Sequence, residues 1–137
     1  MTTLVNGILG YPLKKPRSIG IWQAYFKKKR LDAIMKKFEV KPLALNNFFT
    51  TIKNMDEFKA TAVTMPYKIK VIKYMQGLDP YAQKAKSVNL IIKKNKKLFG
   101  FNTDVYGAYE SVKKIIPNYK LIVIIGLGGT GSAIFNF

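Results

Sequence analysis

The sequence predicts an α/β protein, and three features of its 137 residues indicate that class. Short apolar segments alternate with segments whose apolar residues recur at helical spacing, as strands alternate with helices in α/β proteins. Residues 121–125 are apolar at every position, which is typical of a strand buried on both faces of a parallel sheet. A glycine-rich loop over residues 126–131 follows that segment at once. We therefore expect parallel strands joined by helices.

The first half of the chain is expected to supply three strands and two helices. A turn at residues 10–12 ends the first apolar run, and Ser18 is a candidate N-cap for the helix that follows. Ile19, Trp22 and Phe26 would share the buried face of that helix. The predicted strands cover residues 4–9, 33–40 and 59–64, and the predicted helices cover residues 19–29 and 42–54.

The second half is expected to contain helices and a hairpin before the final apolar strand. Pro66 suits the first turn of a helix, where its missing N–H costs nothing, and Asp104 opens the last long helix. Because a buried parallel strand needs neighbours on both sides, residues 118–137 are expected to begin a second domain after a first domain at residues 1–117. A short helix after residue 80 and strands at residues 87–92, 97–101 and 121–125 complete the prediction.

The composition excludes several kinds of chemistry. With no Cys and no His, the chain cannot form a disulfide, a thiolate or imidazole metal site, or a Ser-His-Asp triad. Proton transfer must therefore use Lys, Tyr, Asp or Glu. The longest apolar run is far shorter than a membrane span, and the first residues lack the basic and apolar regions of a secretory signal. We expect a cytoplasmic protein with no metal site and no membrane partner.

The formal charge of +17 raises the question of a nucleic-acid partner. Nearly all of the positive charge comes from lysine, whereas base recognition favours the arginine fork. The lysines are spread along the chain, mostly at predicted helix ends and turns, where solvated lysine is ordinary. An A/T-rich genome would produce the same bias through its codons. We therefore favour a lysine-rich composition and keep nucleic-acid binding as the alternative.

Four short motifs could carry chemistry, and each has an ordinary structural alternative. Thr64 could cap a helix and Lys68 could be one solvated lysine among many. Asn89 could be a plain strand residue, and residues 102–104 suit a helix cap. A glycine loop after a strand can bring backbone N–H groups close to a pyrophosphate, although it could also be a simple turn. That loop consists of Gly126, Leu127, Gly128, Gly129 and Thr130.

In their order and spacing, these motifs resemble those of the shikimate dehydrogenase family. The family pattern has a G-x-P-[IL] turn with a Ser-x-Ser region, then N-V-T-x-P-x-K, A-V-N-T, G-x-N-T-D-x-x-G and a G-x-G-G-x loop. Five ordered motifs over nearly the whole chain are far more specific than any one of them. The chain carries GYPL at 10–13 with Ser18, AVTMPYK at 62–68, SVNL at 87–90, GFNTDVYG at 100–107 and GLGGT at 126–130.

The resemblance implies a fold and a reaction. The fold is a three-layer substrate domain around a mixed, mostly parallel sheet, followed by the first strand and glycine loop of a truncated Rossmann-like domain. The reaction is the reversible NADPH-dependent reduction of 3-dehydroshikimate to shikimate, in aromatic amino acid biosynthesis, with NAD not excluded as the cofactor. A chain with so little of the cofactor domain is expected to be inactive alone. The oligomeric state stays open between monomer and homodimer.

The same resemblance assigns roles to individual residues. Lys68 and Asp104 would be the catalytic pair, and both would also bind substrate. Lys68 can give a proton to an alkoxide or take one in the reverse direction, while Asp104 orients its ammonium group. Thr64 and Asn89 would contact substrate hydroxyls, and Ser18 would contact the substrate carboxylate. Residues 126–130 would bind the cofactor.

The region that binds the substrate carboxylate in the family departs most from its pattern. Only Ser18 remains of two serines, and Lys15 or Arg17 could bind an anion instead or could simply be solvated. The substrate could therefore be another hydroxylated ring acid such as quinate. A non-catalytic small-acid-binding or interaction module is the remaining alternative. The replaced positions are Lys15 for His, Pro16 for the first Ser, Ala62 for Asn and Leu90 for Thr.

Overall fold

Six strands pair in one sheet in the computed structural model, which describes residues 2–118, 120–126 and 129–135. The strands are β1 (Leu4–Gly10), β2 (Ala33–Glu39), β3 (Phe58–Val63), β4 (Gly77–Leu78), β5 (Leu90–Lys94) and β6 (Lys97–Phe101). Their order across the sheet is β2-β1-β3-β5-β6-β4. β1 is parallel to β2 and β3, and β4 is parallel to β6, whereas β5 is antiparallel to both its neighbours. The mixed, mostly parallel sheet is therefore confirmed.

Helices alternate with these strands along the described part of the chain. The α-helices are α1 (Ser18–Lys28), α2 (Leu45–Asn54), α3 (Pro80–Ala85), α4 (Thr103–Ile115) and α5 (Gly129–Phe135), and 3-10 helices cover Pro42–Ala44 and Lys70–Tyr74. The predicted α/β class is confirmed. No helix in the described ranges combines the length and the apolar character that crossing a membrane requires.

Helices pack on both faces of the sheet. Successive residues of a strand point to opposite faces, so neighbouring residues of β5 show what covers each face. Ile91 of β5 is fully buried in the main core together with Phe49 of α2. Its neighbour Ile92 instead lines a cavity together with Trp22 of α1. The helices α1 and α2 therefore cover opposite faces, which gives the three layers that the resemblance implies.

The strand directions bring several loops to one edge of the sheet. The carboxyl ends of parallel strands share an edge, and β1, β3 and β6 end there at Gly10, Val63 and Phe101. The antiparallel strand β5 begins at the same edge with Leu90. The segments before and after these residues are therefore neighbours in space, although they are far apart in sequence.

The predicted strand over residues 121–125 is wrong for this structure. That segment is not part of any strand, and four of its five apolar side chains are exposed, including Leu121 at 80% and Ile125 at 97%. A parallel strand forms only where a neighbour satisfies its backbone N–H and C=O groups. No strand among the described residues pairs with that segment. The division between residues 117 and 118 stays a prediction.

Two smaller expectations also differ from the structure. Arg17 holds the cap position of α1 with helical φ and ψ of −61° and −30°, so Ser18 lies inside the first turn and makes no cap. Pro66 lies in a turn rather than a helix, because the buried Tyr67 ring anchors that segment to the core, and only the 3-10 helix Lys70–Tyr74 follows. The two-residue strand β4 was not predicted. The predicted hairpin is confirmed, with Asn95 and Lys96 at φ of 50° and 59°.

Candidate active site

An ion pair between Lys68 and Asp104 lies at the sheet edge where the loops converge. Lys68 Nζ is 2.6 Å from Asp104 Oδ2, and the two side chains are 18% and 30% exposed. Lys68 follows the turn after β3, whereas Asp104 is in the first turn of α4. The structure therefore brings together the two residues expected to form the catalytic pair, in a partly solvent-shielded position where charge-assisted hydrogen bonds are strong.

Asn102 places Asp104 by capping α4. Asn102 Oδ1 accepts hydrogen bonds from the backbone N–H groups of Asp104, at 3.1 Å, and Val105, at 3.2 Å. Its Nδ2 donates to the Ser87 carbonyl at 2.9 Å, and the residue is 1% exposed. A cap residue fixed on both sides determines where the helix begins. The carboxylate of Asp104 is consequently held by a buried anchor.

Tyr67 fixes the position of Lys68. The Tyr67 ring is fully buried, and its hydroxyl donates a 2.5 Å hydrogen bond to the carbonyl of Val40. Burial raises the pKa of the Tyr67 phenol, with a smaller contribution from Tyr11. The Lys68 carbonyl in turn accepts a hydrogen bond from Val88 N–H at 2.8 Å. The backbone at Lys68 is therefore tied to the residue that follows β2 and to the residue before Asn89.

Asn89 makes three hydrogen bonds to the start of α4. Its Nδ2 donates to Asp104 Oδ1 and to Thr103 Oγ1, both at 2.8 Å. Its Oδ1 accepts from the Thr103 backbone N–H at 2.9 Å. Asn89 thus belongs to the same group of side chains as Lys68 and Asp104, as the sequence suggests. Its bonds to Thr103 could not be expected from the motif, because Thr103 suits an ordinary helix cap.

Thr64 and Ser18 are placed differently relative to this group. Thr64 follows β3 directly, and its N–H donates to the Leu9 carbonyl at 2.9 Å. Its methyl group lies so close to Gly10 that a Cβ on the glycine would be 2.6 Å away. No hydrogen bond in the described part of the chain joins Ser18 to Lys68, Asn89 or Asp104. The Ser18 Oγ atom is instead buried without a hydrogen-bond partner.

The loop before Ser18 is held at the end of β2 by a charged pair. Glu39 Oε1 accepts a hydrogen bond from the Leu13 N–H at 2.9 Å, and its other oxygen is 2.5 Å from Lys37 Nζ. The Lys37 side chain also reaches the Lys14 carbonyl at 3.5 Å. The hydrogen bond from Lys37, followed by that from Leu13, lowers the pKa of Glu39. Lys15 and Arg17 are exposed and outside this arrangement.

A cavity of about 480 Å³ opens beside Asn89 and Thr103. Its wall is otherwise mostly apolar and carries no charged side chain. It includes Ala62 and Leu90, two of the three positions where the family pattern has a polar residue and this chain has an apolar one. Its other lining residues are Asn6, Gly7, Trp22, Phe26, Met35, Ala60 and Ile92. A second cavity of about 380 Å³ includes neither residue of the ion pair in its lining, which contains Pro42, Tyr67 and Tyr74 among others.

The glycine loop contacts the ion pair through Thr130. The Lys68 ammonium donates a 3.2 Å hydrogen bond to Thr130 Oγ1, and α5 packs on α3 and α4 through Ala133. Gly126 has a φ of 91°, and a Cβ at Gly131 would lie 2.0 Å from the Gly126 oxygen. The backbone therefore requires glycine at both positions, as a close phosphate-binding turn does. Leu127 and Gly128 lie outside the described residues.

Comparisons with known proteins agree with this arrangement. Residues 8–91 match the family model of the shikimate dehydrogenase substrate binding domain. A shikimate dehydrogenase (NADP(+)) of Pyrococcus furiosus is 38% identical over 133 residues, which cover 96% of this chain and 48% of that protein. The chain thus spans about half the length of the curated relatives that it matches.

Two solved structures have the same fold. A shikimate dehydrogenase in complex with NADP+ superposes with a TM-score of 0.88 at 34% identity, over 96% of this chain and 46% of that one. A 5-ketofructose reductase of a Gluconobacter strain superposes with a TM-score of 0.88 at 26% identity, over 98% and 49%. Because the family model matches residues 8–91, more than half of the chain, this chain belongs to the shikimate dehydrogenase family, in which it represents the substrate-binding domain.

Proposed function

We propose that this chain supplies the substrate-binding and proton-transferring part of an NADP-dependent oxidoreductase that interconverts 3-dehydroshikimate and shikimate. The observation that carries the proposal is the 2.6 Å ion pair of Lys68 and Asp104 at the edge where the loops converge. The relatives named for this reaction are about twice as long as the chain, so turnover belongs to a protein with a complete cofactor domain.

One residue of the site transfers a proton, and the others orient that residue or the substrate. The Lys68 ammonium gives a proton to the substrate oxygen that becomes a hydroxyl, and takes it back in the reverse direction. Asp104 holds that ammonium in place through Oδ2. Thr64 and Asn89 orient the ring hydroxyls. Ser18 contacts one carboxylate oxygen once its Oγ, which is buried and unpartnered here, becomes accessible.

NADP, when bound, supplies or accepts the hydride. We assign its phosphates to the glycine-rich turn that includes Gly126 and Gly131, whose backbone geometry requires glycine at both positions. The hydrogen bond from Lys68 to Thr130 joins that turn to the proton-transferring group. The proposal includes a cytoplasmic location and small molecules, rather than nucleic acid or a membrane, as partners.

A reductase for a neutral polyhydroxylated ketone is the second candidate. The family residues for the substrate carboxylate are reduced to Ser18, and the cavity beside Asn89 has Ala62 and Leu90 in its wall and no charged side chain. The likeness to a 5-ketofructose reductase supports it, because that name denotes a substrate without a carboxylate. A ring acid such as quinate would fit the same polar groups as shikimate.

Calorimetry on the purified chain tests the proposal. Shikimate is expected to bind, and Lys68→Ala is expected to weaken binding by roughly tenfold or more, because a charge-assisted hydrogen bond contributes about 1.5–3 kcal/mol. Lys70→Ala is the matched control and should bind like the wild type, since Lys70 lies outside the ion pair. Unchanged affinity in Lys68→Ala would refute the proposed role.

The methyl ester of shikimate separates the two candidates. The ester keeps the ring hydroxyls and removes the negative charge. A clear preference for the acid supports the first candidate, whereas equal or tighter binding of the ester supports a substrate without a carboxylate.

A further inference from the structure

Thr103 contacts Asn89 through two separate groups. Its backbone N–H donates to Asn89 Oδ1 at 2.9 Å, and its hydroxyl oxygen accepts from Asn89 Nδ2 at 2.8 Å. These two bonds close a ring between the residue before β5 and the first residue of α4. The second Nδ2 hydrogen goes to Asp104 Oδ1, also at 2.8 Å.

The Thr103 backbone decides which way the Asn89 amide faces. A backbone N–H can only donate, so the amide atom opposite it must be the acceptor Oδ1. Nδ2 is therefore directed towards Asp104 and the Thr103 hydroxyl, and both of its hydrogens are engaged. The reversed amide would place an N–H against an N–H and leave the Asp104 oxygen without its donor.

The orientation of the Asn89 amide also affects the ion pair of Lys68 and Asp104. Asp104 Oδ1 is held by Asn89 and Oδ2 is held by Lys68, so the carboxylate is fixed at both oxygens. We propose that Thr103 is a positioning residue of this site, which fixes the Asn89 amide and, through it, the Asp104 carboxylate against Lys68. Thr103 acts through its neighbours, and its substitution is not a core change because the residue is exposed.

Two variants of Thr103 test this role. Thr103→Val keeps the branched shape and the backbone N–H but removes the hydroxyl acceptor, whereas Thr103→Ser restores that acceptor. In ¹⁵N spectra of the ligand-free chain, the Asn89 side-chain amide should give two slowly exchanging proton signals in the wild type and in Thr103→Ser. Thr103→Val should lose the slow exchange of one of them. Thermal unfolding of all three chains checks that the fold is kept.

Ligand affinity provides the second readout, and this readout rests on the proposed function. Shikimate should bind Thr103→Val roughly three- to tenfold more weakly than the wild type, as expected for the loss of one hydrogen bond, and Thr103→Ser should recover the affinity. Wild-type exchange of the Asn89 amide in Thr103→Val would overturn the proposal, and so would altered exchange with unchanged affinity. If the wild type does not bind shikimate, the proposed substrate fails, while the amide exchange still decides the role of Thr103.

Discussion

Asn102→Ala is expected to lower the unfolding free energy of the chain and to loosen the start of α4, which carries Asp104. The substitution removes the acceptor for the Asp104 and Val105 N–H groups and the donor to the Ser87 carbonyl. Loss of an N-cap costs about 1 kcal/mol. A buried carbonyl left without its donor adds about 1–3 kcal/mol, and Ser87 is only 2% exposed. The expected loss is therefore about 2–4 kcal/mol of unfolding free energy.

Urea denaturation followed by circular dichroism measures that loss. Asn102→Asp separates the two contributions, because it keeps an oxygen for the cap and removes the amide that donates to Ser87. It should fall between the wild type and Asn102→Ala. Asn118→Ala, at an exposed position after α4, is the control and should stay near the wild-type stability. A loss below about 0.5 kcal/mol in Asn102→Ala would refute the capping role, since ordinary surface substitutions reach that size.

Three further predictions concern the surroundings of the site. Tyr67→Phe leaves the Val40 carbonyl without its donor and should lower the unfolding free energy by about 1–3 kcal/mol in the same urea assay. Gly10→Ala drives a methyl group against Thr64, so stability should fall by about 1–3 kcal/mol and calorimetry should show weaker shikimate binding. Glu39 has a pKa below its ordinary value of 4.5, so its stabilising contribution is present above that pH and is lost on acidification. Glu39→Gln should therefore show a smaller loss of stability than the wild type when unfolding is compared at neutral and acidic pH.

Much of the fold could be predicted because local patterns and tertiary packing agree. Apolar runs predicted β1, β2 and β3, and the second predicted helix overlaps α2, which buries Phe49 and Ile52. The segment at residues 121–125 shows where such reasoning stops. Its composition suits a buried strand, but a strand also needs a neighbour, and composition does not reveal whether one is present.

The site illustrates the same limit at the level of side chains. The order of the motifs predicted Lys68, Asn89 and Asp104 as site residues. The shared edge of the sheet explains why residues up to 36 positions apart in the sequence are in contact. The role of Thr103 depends on which atom of the Asn89 amide faces its N–H, and that geometry has no signature in residue type. For Ser18 the motif predicted a contact with the substrate carboxylate. In the described structure its hydroxyl is buried and has no hydrogen-bond partner.

A titration of the ¹⁵N-labelled chain with shikimate tests the central claim most directly. If the edge site binds the ring and its hydroxyls, the shifted backbone signals should cluster at Thr64, Lys68, Asn89 and Asp104, and Lys68→Ala should suppress the shifts. Shifts centred on the second cavity near Tyr74, or no shifts at saturating shikimate, would contradict the assignment of this edge as the substrate site.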